Sequence, residues 1–371
     1  MHILLLEPFF GGSHAAWALG LQRHSRHSVE ILSLPGRNWK WRMHGGAITL
    51  AERFRAAQRR PDLILATDLL DLTTFLALTR EQTASIPVAA YFHENQFAYP
   101  RSPEDTDTAQ GRDSHYGFIN YATALAADRV LFNSAFNRDS LLEGARTMLT
   151  GIRDHADPDG IEAVAAKSAV LPLGLDLEAL DPHRPTAAAG QEPPLLLWNH
   201  RWAHDKNPDA FFRILFDLAG EGLHFRVAVL GSAPKRGYPI FEEARRRLHG
   251  RIAHFGYVED RATYAAWLWA ADILPVTSHH DFFGISVMEA MYCGAFPLLP
   301  RRQAYPELLP AAWREHCLYE SEDELRRRLR RLIREGPPGG SERLATAASE
   351  FDWRRMGPEY DRILADIPDR C

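Results

Sequence analysis

Cysteine is scarce in this sequence. Three of the 371 residues are cysteines, and they lie far apart at positions 293, 317 and 371 with no C-x-x-C spacing. An odd, scattered set of cysteines is typical of a reducing compartment. It excludes a disulfide framework and a cysteine-based zinc site.

Long apolar runs are missing as well. No stretch approaches the roughly 20 apolar residues that a membrane-spanning helix needs. The start, Met1-His-Ile-Leu-Leu-Leu-Glu7, is too short and too soon acidic for a signal peptide. We therefore expect a soluble, cytoplasmic protein with no membrane span.

The chain also lacks an excess of positive charge and a dinucleotide fingerprint. Its formal net charge is -5, which argues against a protein whose whole surface grips nucleic acid and leaves room for a local basic patch. The first glycine-rich turn, Gly11-Gly-Ser-His14, lacks the G-x-G-x-x-G spacing, which disfavours a dehydrogenase. Its glycine pair would still let a ligand approach the backbone closely.

The patterns that are present indicate two α/β domains. Strand-like and helix-like segments alternate along both halves, and this rhythm predicts a parallel, doubly wound sheet in each. A connector rich in Pro and Ala at residues 181–194 separates the halves.

The second half contains a strand-loop-helix segment at residues 278–294. Gly284 lies at the turn, so the following helix would begin at the carboxyl edge of the sheet, where backbone N–H groups and the helix dipole favour a phosphate. Two acids, Asp281 and Glu289, flank the turn with seven residues between them. The alternative is an acidic loop before an ordinary amphipathic helix with one exposed Glu.

Two cations follow an earlier strand of the same half. Arg201 and Lys206 come after the apolar run 195–198, so we expect them at the same sheet edge, where they would neutralise a diphosphate. Solvated surface cations are the alternative.

The first half offers two further polar clusters. His93, Glu94, Asn95 and Gln96 follow an apolar strand and would face the ligand edge of the sheet. The second cluster, Trp39-Lys-Trp-Arg42, is predicted on a loop before a helix that begins near Ala47. Mixed aromatic and basic residues stack bases while holding phosphates; a hydrophobic plug with snorkelling cations is the alternative.

Together these motifs resemble the two-domain GT-B fold of retaining family 4 glycosyltransferases, and within it the tRNA-queuosine mannosyltransferase family. The likeness covers nearly the whole chain. It is carried by Glu7-Pro-Phe-Phe-Gly-Gly-Ser-His14, Trp39-Lys-Trp-Arg42, Tyr91-Phe-His-Glu-Asn-Gln96, His200-Arg-Trp-Ala-His-Asp-Lys206 and Glu289-Ala-Met-Tyr-Cys-Gly294. The sequence departs from the family at Asp281, where Glu is usual.

The resemblance implies a fold of two Rossmann-like domains that face a central cleft. Residues 1–182 would form the acceptor-side domain and residues 195–350 the nucleotide-sugar-binding domain. Residues 351–371 would form a helix that packs back on the first domain.

The resemblance also implies roles for the residues of the second domain. Arg201 and Lys206 would hold the donor diphosphate together with backbone N–H groups at Gly284 and Ile285. Glu289 would bind the nucleotide ribose. Gly256 and Tyr257 would lie beside the base of the donor, and Asp281 would face its hexose hydroxyls.

In the first domain His93 would lie beside the transferred sugar, and Gly12 would let the chain approach it. The acceptor would meet Trp39, Trp41, Arg42, Glu94, Asn95 and Gln96. The family implies GDP-mannose as donor, queuosine in a tRNA as acceptor, and neither a cofactor nor a catalytic metal. A small-metabolite or glycan acceptor, and a non-catalytic nucleotide- or RNA-binding module, stay open as alternatives.

Overall fold

The computed structural model of the chain describes residues 1–100, 114–152, 159–186, 192–232 and 238–367. It divides into two compact units. Unit 1 comprises Met1–Leu175 and Trp353–Cys371, and unit 2 comprises Asp176–Asp352. Part of the predicted connector, residues 187–191, lies outside the described residues.

Unit 1 is built on a six-stranded sheet with buried central strands. Its strands are β1 His2–Phe10, β2 Ser28–Pro35, β3 Leu63–Thr67, β4 Val88–Phe92, β5 Arg129–Phe132 and β6 Ser168–Val170. They lie in the order β2-β1-β3-β4-β5-β6, and all their pairings are parallel. Parallel strands need covering elements on both faces, which explains why the helices alternate with them in sequence.

The helices of unit 1 cover this sheet. They are α1 Gly12–His24, α2 Trp39–Ala56, α3 Leu72–Thr83, α4 Ser114–Ala126, α5 Ala135–Thr150 and α6 Asp159–Ala166, with the last helix of the chain, Trp353–Ala365, packed on α1. The last helix approaches closely at Gly20, where an added Cβ would lie 2.0 Å from Nε1 of Trp353. A small residue is therefore required at that point of α1.

Unit 2 holds a second parallel six-stranded sheet. Its strands are β7 Leu195–Trp198, β8 Arg226–Leu230, β9 Ile252–Gly256, β10 Ile273–Pro275, β11 Phe296–Pro300 and β12 Leu318–Tyr319. The order β12-β11-β10-β7-β8-β9 is the Rossmann order 3-2-1-4-5-6 when counted from the first strand of the unit. The prediction of an α/β protein with doubly wound parallel sheets is confirmed.

The helices of unit 2 follow its strands in turn. They are α7 Pro208–Gly220, α8 Pro239–Arg247, α9 Arg261–Ala270, α10 Ile285–Tyr292, α11 Arg314–Cys317, α12 Glu322–Glu335 and α13 Glu342–Ser349, and the closing helix Trp353–Ala365 of unit 1 is α14. Pro208 occupies the first turn of α7, and the side chain of Asn207 caps it by accepting from the N–H of Ala210. Within the described stretches of the chain, we find no helix both long and apolar enough to span a membrane.

Each sheet has one point where the direction of winding reverses. In unit 1 this switch lies between β1 and β3, and in unit 2 between β7 and β10. Open α/β sheets bind ligands in the crevice outside the carboxyl ends of the strands at such a point. The side chains that follow these four strands are therefore candidates for ligand contacts.

Candidate active site

Helix α10 begins at the switch point of unit 2. The chain leaves β10, turns at Gly284 with a φ of 101°, and enters the helix at Ile285. Glycine is favoured at such a left-handed position because it has no Cβ. It also brings no capping side chain, so the N–H groups of the first helical turn and the positive end of the helix dipole suit an anion.

The end of β7 is fastened to this helix. The amide of Asn199 donates to the carbonyl of Ser286 at 2.8 Å, and Nδ1 of His200 lies 3.0 Å from Oγ of Ser286. Burial, and after it the charge of Lys206, lowers the pKa of His200 to about 4, so the ring is neutral near pH 7. Its Nε2 is buried without a hydrogen-bond partner among the described residues.

Lys206 forms a buried ion pair with Asp281. Its Nζ donates to the carboxylate at 3.1 Å and to the carbonyl of His280 at 2.9 Å. Burial alone would raise the pKa of Asp281, but the positive charge of Lys206 outweighs it, and the pKa is lowered. The acid is therefore ionised at neutral pH and the ammonium is fixed in place.

Arg201 joins this group through a second acid. Asp205 lies 3.5 Å from the guanidinium of Arg201 and 3.3 Å from Nζ of Lys206. The side chain of Arg201 is 64% exposed, whereas that of Lys206 is 10% exposed. Lys206 is thus a fixed cation, and Arg201 is a cation that solvent reaches.

Glu289 lies one turn inside α10 and is not the exposed acid of the alternative interpretation. Its side chain is only 12% exposed. One carboxylate oxygen accepts from the hydroxyl of Tyr264 at 2.8 Å, and the other accepts from Arg261 at 3.1 Å. Farther along the sheet, Gly256 ends β9 with a φ of 140°, and Tyr257 is 64% exposed there.

The switch point of unit 1 holds a buried ion pair. Nδ1 of His14 lies 3.3 Å from a carboxylate oxygen of Glu7, whose other oxygen accepts from the N–H of Phe9 at 2.8 Å. Burial would lower the pKa of His14, but Glu7 outweighs it and raises the pKa to about 9. The pKa of Glu7 is lowered, because His14 outweighs the cost of burial. Both groups are therefore charged near pH 7.

A second histidine-carboxylate pair lies against the first. Oδ1 of Asp68, just past β3, accepts from the backbone N–H of His93 at 2.9 Å and lies 3.2 Å from its Nδ1. The two imidazole rings, of His14 and His93, are 4.4 Å apart between centroids. Burial raises the pKa of Asp68 to about 7.

Aromatic residues close off the back of this cluster. The ring of His93 meets Trp17 edge-on at 4.6 Å and Tyr91 at 4.9 Å. The hydroxyl of Tyr360 accepts from the indole N–H of Trp17 at 3.0 Å and lies 2.8 Å from the hydroxyl of Tyr91. Helix α14 therefore supplies part of the wall behind His93.

Among the described residues, Glu7, His14 and His93 form a group whose ligand atoms all lie within 4.8 Å of one another, close enough to hold a metal ion. Metal binding there would have to displace the proton that His14 shares with Glu7, because an imidazolium cannot act as a ligand. The raised pKa of His14, about 9, makes that displacement costly near pH 7. We therefore treat the group as an ion pair.

The Trp39-Lys-Trp-Arg42 stretch does not lie on a loop, and that prediction is wrong. It forms the first turn of α2, which begins eight residues earlier than expected because Asn38 adopts a left-handed conformation with a φ of 55° and starts the helix there. Trp39 packs against the ring of Tyr116 at 5.2 Å. Trp41 is 64% exposed, and the Arg42 guanidinium donates to the carbonyl of Pro35.

The polar run after β4 is mostly engaged within unit 1. The amide of Asn95 donates to Asn137 at 2.9 Å, and its oxygen accepts the N–H groups of Phe97 and Ala98, two and three residues farther along the chain. The side chain of Gln96 donates to Glu94 at 3.0 Å. The hydrogen bonds of Asn95 thus fix the conformation of the loop that follows β4.

Two family descriptions match the chain. The tRNA-queuosine alpha-mannosyltransferase N-terminal family covers residues 2–175, and the Glycosyl transferases group 1 family covers residues 181–350. The tRNA-queuosine alpha-mannosyltransferase of Drosophila melanogaster is 32% identical over 341 residues, which are 90% of this chain and 87% of that protein. The chain belongs to the tRNA-queuosine alpha-mannosyltransferase family.

More distant proteins share the fold. A GDP-mannose-dependent alpha-(1-6)-phosphatidylinositol dimannoside mannosyltransferase of Mycobacterium tuberculosis is 24% identical over 303 residues, 78% of this chain and 71% of that protein. Sucrose-phosphate synthase from Thermosynechococcus elongatus superposes with a TM-score of 0.71 at 15% identity over 98% of each chain. HepE of Anabaena, solved with UDP, superposes with a TM-score of 0.68 at 15% identity over 98% of this chain and 100% of that one. The predictions of a GT-B fold and of a glycosyltransferase are confirmed.

In this member of the tRNA-queuosine alpha-mannosyltransferase family, the predicted residues of unit 2 fall into two groups. Lys206, Asp281 and Arg201 are linked, with Asp205 as the bridge. Glu289 sits apart from them in its own pair with Tyr264 and Arg261. The contacts within each group are fixed by the fold.

Sequence reasoning missed several residues of this family member's site. They are Glu7, His14, Asp68, Asn199, His200, Asp205, Arg261 and Tyr264. Asp68 and Asn199 carried a usable signal, because each directly follows a buried strand, as His93 does. The others are recognised only from contacts between elements that are distant in sequence.

Proposed function

We propose that the protein transfers mannose from GDP-mannose to queuosine in the anticodon loop of a tRNA, with retention of configuration. The acceptor and sugar follow the name of the Drosophila relative, and the donor follows that of the mycobacterial one. The observation that carries the proposal is the buried pair of Lys206 and Asp281 beside the start of α10. We also propose that the reaction takes place in the cytoplasm.

The reaction needs positive charge where the leaving group forms. The bond between the anomeric carbon and the diphosphate oxygen breaks, and the electron pair leaves with GDP. We assign Lys206, Arg201 and the N–H groups at Gly284 and Ile285 to that diphosphate, because fixed donors stabilise developing charge without reorganising. The new bond joins the anomeric carbon to a hydroxyl oxygen of the cyclopentenediol, and the hydroxyl proton goes to the departing diphosphate.

The remaining donor contacts follow from position. We assign Asp281 to the hexose hydroxyls, Glu289 to the ribose, and Gly256 with Tyr257 to the guanine base. Hydrogen bonds from Tyr264 and Arg261 hold the carboxylate of Glu289 in place. In unit 1 we assign Gly12 and His93 to the transferred sugar. We assign no metal and no cofactor to the reaction.

The acceptor surface in unit 1 centres on Trp41. Its indole lies over Gly45, where an added Cβ would be 2.4 Å from the ring. The glycine thus leaves room for the ring against α2 while 64% of the residue stays exposed, and an exposed indole suits stacking on a nucleobase. We assign the other acceptor contacts to Trp39, Arg42, Glu94, Asn95 and Gln96, with Trp39 and Asn95 acting mainly through packing.

A second candidate function keeps the donor and replaces the tRNA with a small metabolite or a glycan. The net charge of -5 favours it, because proteins that hold nucleic acid over a wide surface are usually basic. A non-catalytic binding module is the third candidate. The observation in its favour is Asp281, which stands where the family usually has Glu.

One experiment separates these functions. The protein is incubated with GDP-mannose labelled in the sugar and with two preparations of one tRNA, with and without queuosine. We expect label only in the queuosine-containing tRNA. Equal label in both, or none in either, would remove the tRNA acceptor. Release of free mannose without any transfer would indicate the second function, and nucleotide binding without turnover the third.

A further inference from the structure

The paired contact between Asp68 and His93 fixes the direction of a hydrogen bond. Strands β3 and β4 are neighbours with Thr67 opposite Tyr91, so the residues just past them meet at the sheet edge. A single oxygen, Oδ1 of Asp68, accepts the backbone N–H of His93 and also faces its Nδ1. A carboxylate oxygen that carries no proton can accept both N–H groups and cannot donate. Nδ1 must therefore carry the ring proton.

This direction survives a change in the charge of Asp68. Burial raises its pKa to about 7, so a proton is present on the carboxyl in part of the population near pH 7. The other oxygen, Oδ2, is buried and has no hydrogen-bond partner among the described residues. With that proton on Oδ2, Oδ1 stays an acceptor in both states.

The opposite ring nitrogen of His93 is left as an acceptor without a donor. Nε2 is buried and has no hydrogen-bond partner in the part of the chain that the structure describes. Buried polar atoms are paired in the great majority of cases, and an exception calls for an explanation. The unpaired lone pair of Nε2, on a ring packed against that of His14, suits the O–H of a ligand.

The pair of Glu7 and His14 keeps that nitrogen unprotonated. The protonated ring of His14 lies 4.4 Å from that of His93. Burial, and after it the charge of His14, lowers the pKa of His93 well below its usual range, against the smaller opposing effect of Glu7. Glu94 and Asp68 add negative charge that favours the protonated state of His14.

We propose that Asp68 and the ion pair of Glu7 and His14 are positioning residues that hold His93 as the neutral Nδ1–H tautomer, so that Nε2 accepts a hydrogen bond from a hydroxyl of the transferred sugar. The inference rests on the proposed function for the identity of the ligand. The tautomer itself is a property of the protein alone.

The first test reads the tautomer directly. The nitrogen spectrum of the full chain labelled with ¹⁵N-histidine is recorded without substrate, with His93→Gln as the assignment variant. We expect an Nδ1–H, neutral signal for His93 that does not titrate between pH 5.5 and 8.5. A doubly protonated ring or an Nε2–H tautomer in the wild type would overturn the proposal.

Two substitutions at Asp68 separate polarity from charge. Asp68→Asn keeps an oxygen that accepts both N–H groups, and we expect it to retain the tautomer and most of the kcat/KM. Asp68→Ala removes the acceptor, and we expect mixed tautomers with a loss of roughly 10- to 100-fold, the range seen when the orienting partner of a metal-bound histidine is removed. Equal losses in both variants, with a native tautomer in each, would contradict the assignment.

The paired substitution Glu7→Gln/His14→Gln tests whether the ion pair of Glu7 and His14 keeps the ring of His93 neutral. It removes both charges together, so no buried charge is left unpaired. We expect His93 to begin titrating inside the window from pH 5.5 to 8.5, and kcat/KM to fall on the acid side of its profile. An unchanged His93 titration and an unchanged profile in this variant would show that the ion pair has no influence on the ring.

Ligand titrations connect the tautomer to the sugar. We expect GDP-mannose to move the Nε2 signal and GDP alone to leave it in place. A shift with another nucleotide sugar only would keep the inference and overturn the proposed donor. No shift with any nucleotide sugar in a protein that still transfers, or a shift of both imidazoles on adding Zn²⁺ with transfer abolished by a chelator, would overturn the inference.

Discussion

The ammonium of Lys206 lies 3.1 Å from Oδ2 of Asp281, and the same ammonium lies 3.3 Å from Asp205. One buried cation is thus held between two acids at the switch point of the sheet in unit 2. An incoming diphosphate would share this cation without having to immobilise it, because the fold has already done so. The arrangement gives Lys206 a larger part than the more exposed Arg201.

Replacing Lys206 should therefore cost more than replacing Arg201. We expect Lys206→Met to lower kcat/KM by at least about 10²-fold, the size found when a single fixed donor to a developing charge is removed. Arg201→Ala should lower it as well, with more of the effect in KM, because the exposed side chain must be ordered on binding. Steady-state kinetics with GDP-mannose and queuosine-containing tRNA measure both.

An exposed cation of the next helix is the matched control for these variants. Arg213 on α7 donates to the carbonyl of Asp209 in the same helix. Arg213→Ala should retain native kinetics. Near-native turnover of Lys206→Met would remove that residue from the site.

Asp281 is expected to matter for stability as much as for binding. Asp281→Asn leaves the buried ammonium of Lys206 with a weaker set of partners, and loss of one member of a buried pair typically costs about 3–5 kcal/mol. Because the pKa of Asp281 is lowered on folding, the stabilisation is present above its unfolded pKa, about 4, and is lost as the pH falls further. Urea unfolding of the wild type and the variant between pH 3 and 7 measures the difference.

Asp281 is also the position at which the sequence departs from the family, where Glu is usual. If the protein is active, Asp281→Glu should not raise kcat, because the longer side chain must fit between Lys206 and the hydroxyl of Tyr305, which lies 3.3 Å from the carboxylate. A gain of activity from an inactive wild type would instead favour the non-catalytic module.

The stacking surface on α2 gives a prediction with a close control. In Gly45→Ala the new Cβ would collide with the indole of Trp41, whereas in Gly46→Ala the nearest atom, Cβ of Pro8, is 3.4 Å away. Alanine favours a helix over glycine by roughly 0.5–1 kcal/mol, so neither change should weaken the fold. We expect Gly45→Ala and Trp41→Ala to weaken tRNA binding by ~1–3 kcal/mol and Gly46→Ala to leave it unchanged.

Filter binding or fluorescence anisotropy with queuosine-containing tRNA measures these affinities, and GDP binding by calorimetry serves as the internal reference. Trp39→Ala should act differently, since Trp39 packs on Tyr116: we expect lower thermal stability with a smaller change in tRNA affinity. Full tRNA affinity in Trp41→Ala would show that the exposed indole does not contribute to tRNA binding.

Much of the fold was accessible from the sequence because strand and helix signals alternate and buried parallel strands are strongly apolar. The short edge strands β6 and β12 were not, since segments of three and two residues carry no period. The start of α2 was also missed. The mixed aromatic and basic composition of its first turn led to the prediction of a loop. The left-handed conformation of Asn38, which precedes the helix, has no strong sequence signal.

The site shows the same division. A residue at a strand end, such as His93, could be found by position alone. The pairing of Asp68 with His93 depends on strand register, and that of Glu7 with His14 depends on how α1 turns back on β1. Neither follows from composition or spacing, which is why the two buried pairs emerged only with the three-dimensional structure.

The arginine-rich helix α12 illustrates a pattern whose meaning depends on its surroundings. Six arginines between Glu324 and Arg334 suggest a surface for nucleic acid or an ordinary solvated face. The structure pairs Arg330 with Glu221 and Arg328 with Glu324. Part of the charge of this helix is therefore neutralised within unit 2, which fits the solvated face.

The buried pair of Glu7 and His14 makes the stability of unit 1 depend on pH. Folding raises the pKa of His14 from 6.5 to about 9, so the stabilisation is complete below pH 6.5 and is lost as the pH rises through 9. A shift of this size corresponds to about 3 kcal/mol. Glu7 stays ionised over that range, because its pKa is lowered. Hydrogen exchange of peptides from β1 and α1, followed by mass spectrometry between pH 6 and 9, reports unit 1 separately. We expect the protection of the wild type to fall relative to that of Glu7→Gln/His14→Gln as the pH rises, and parallel profiles for the two proteins would show that the pair does not stabilise the fold.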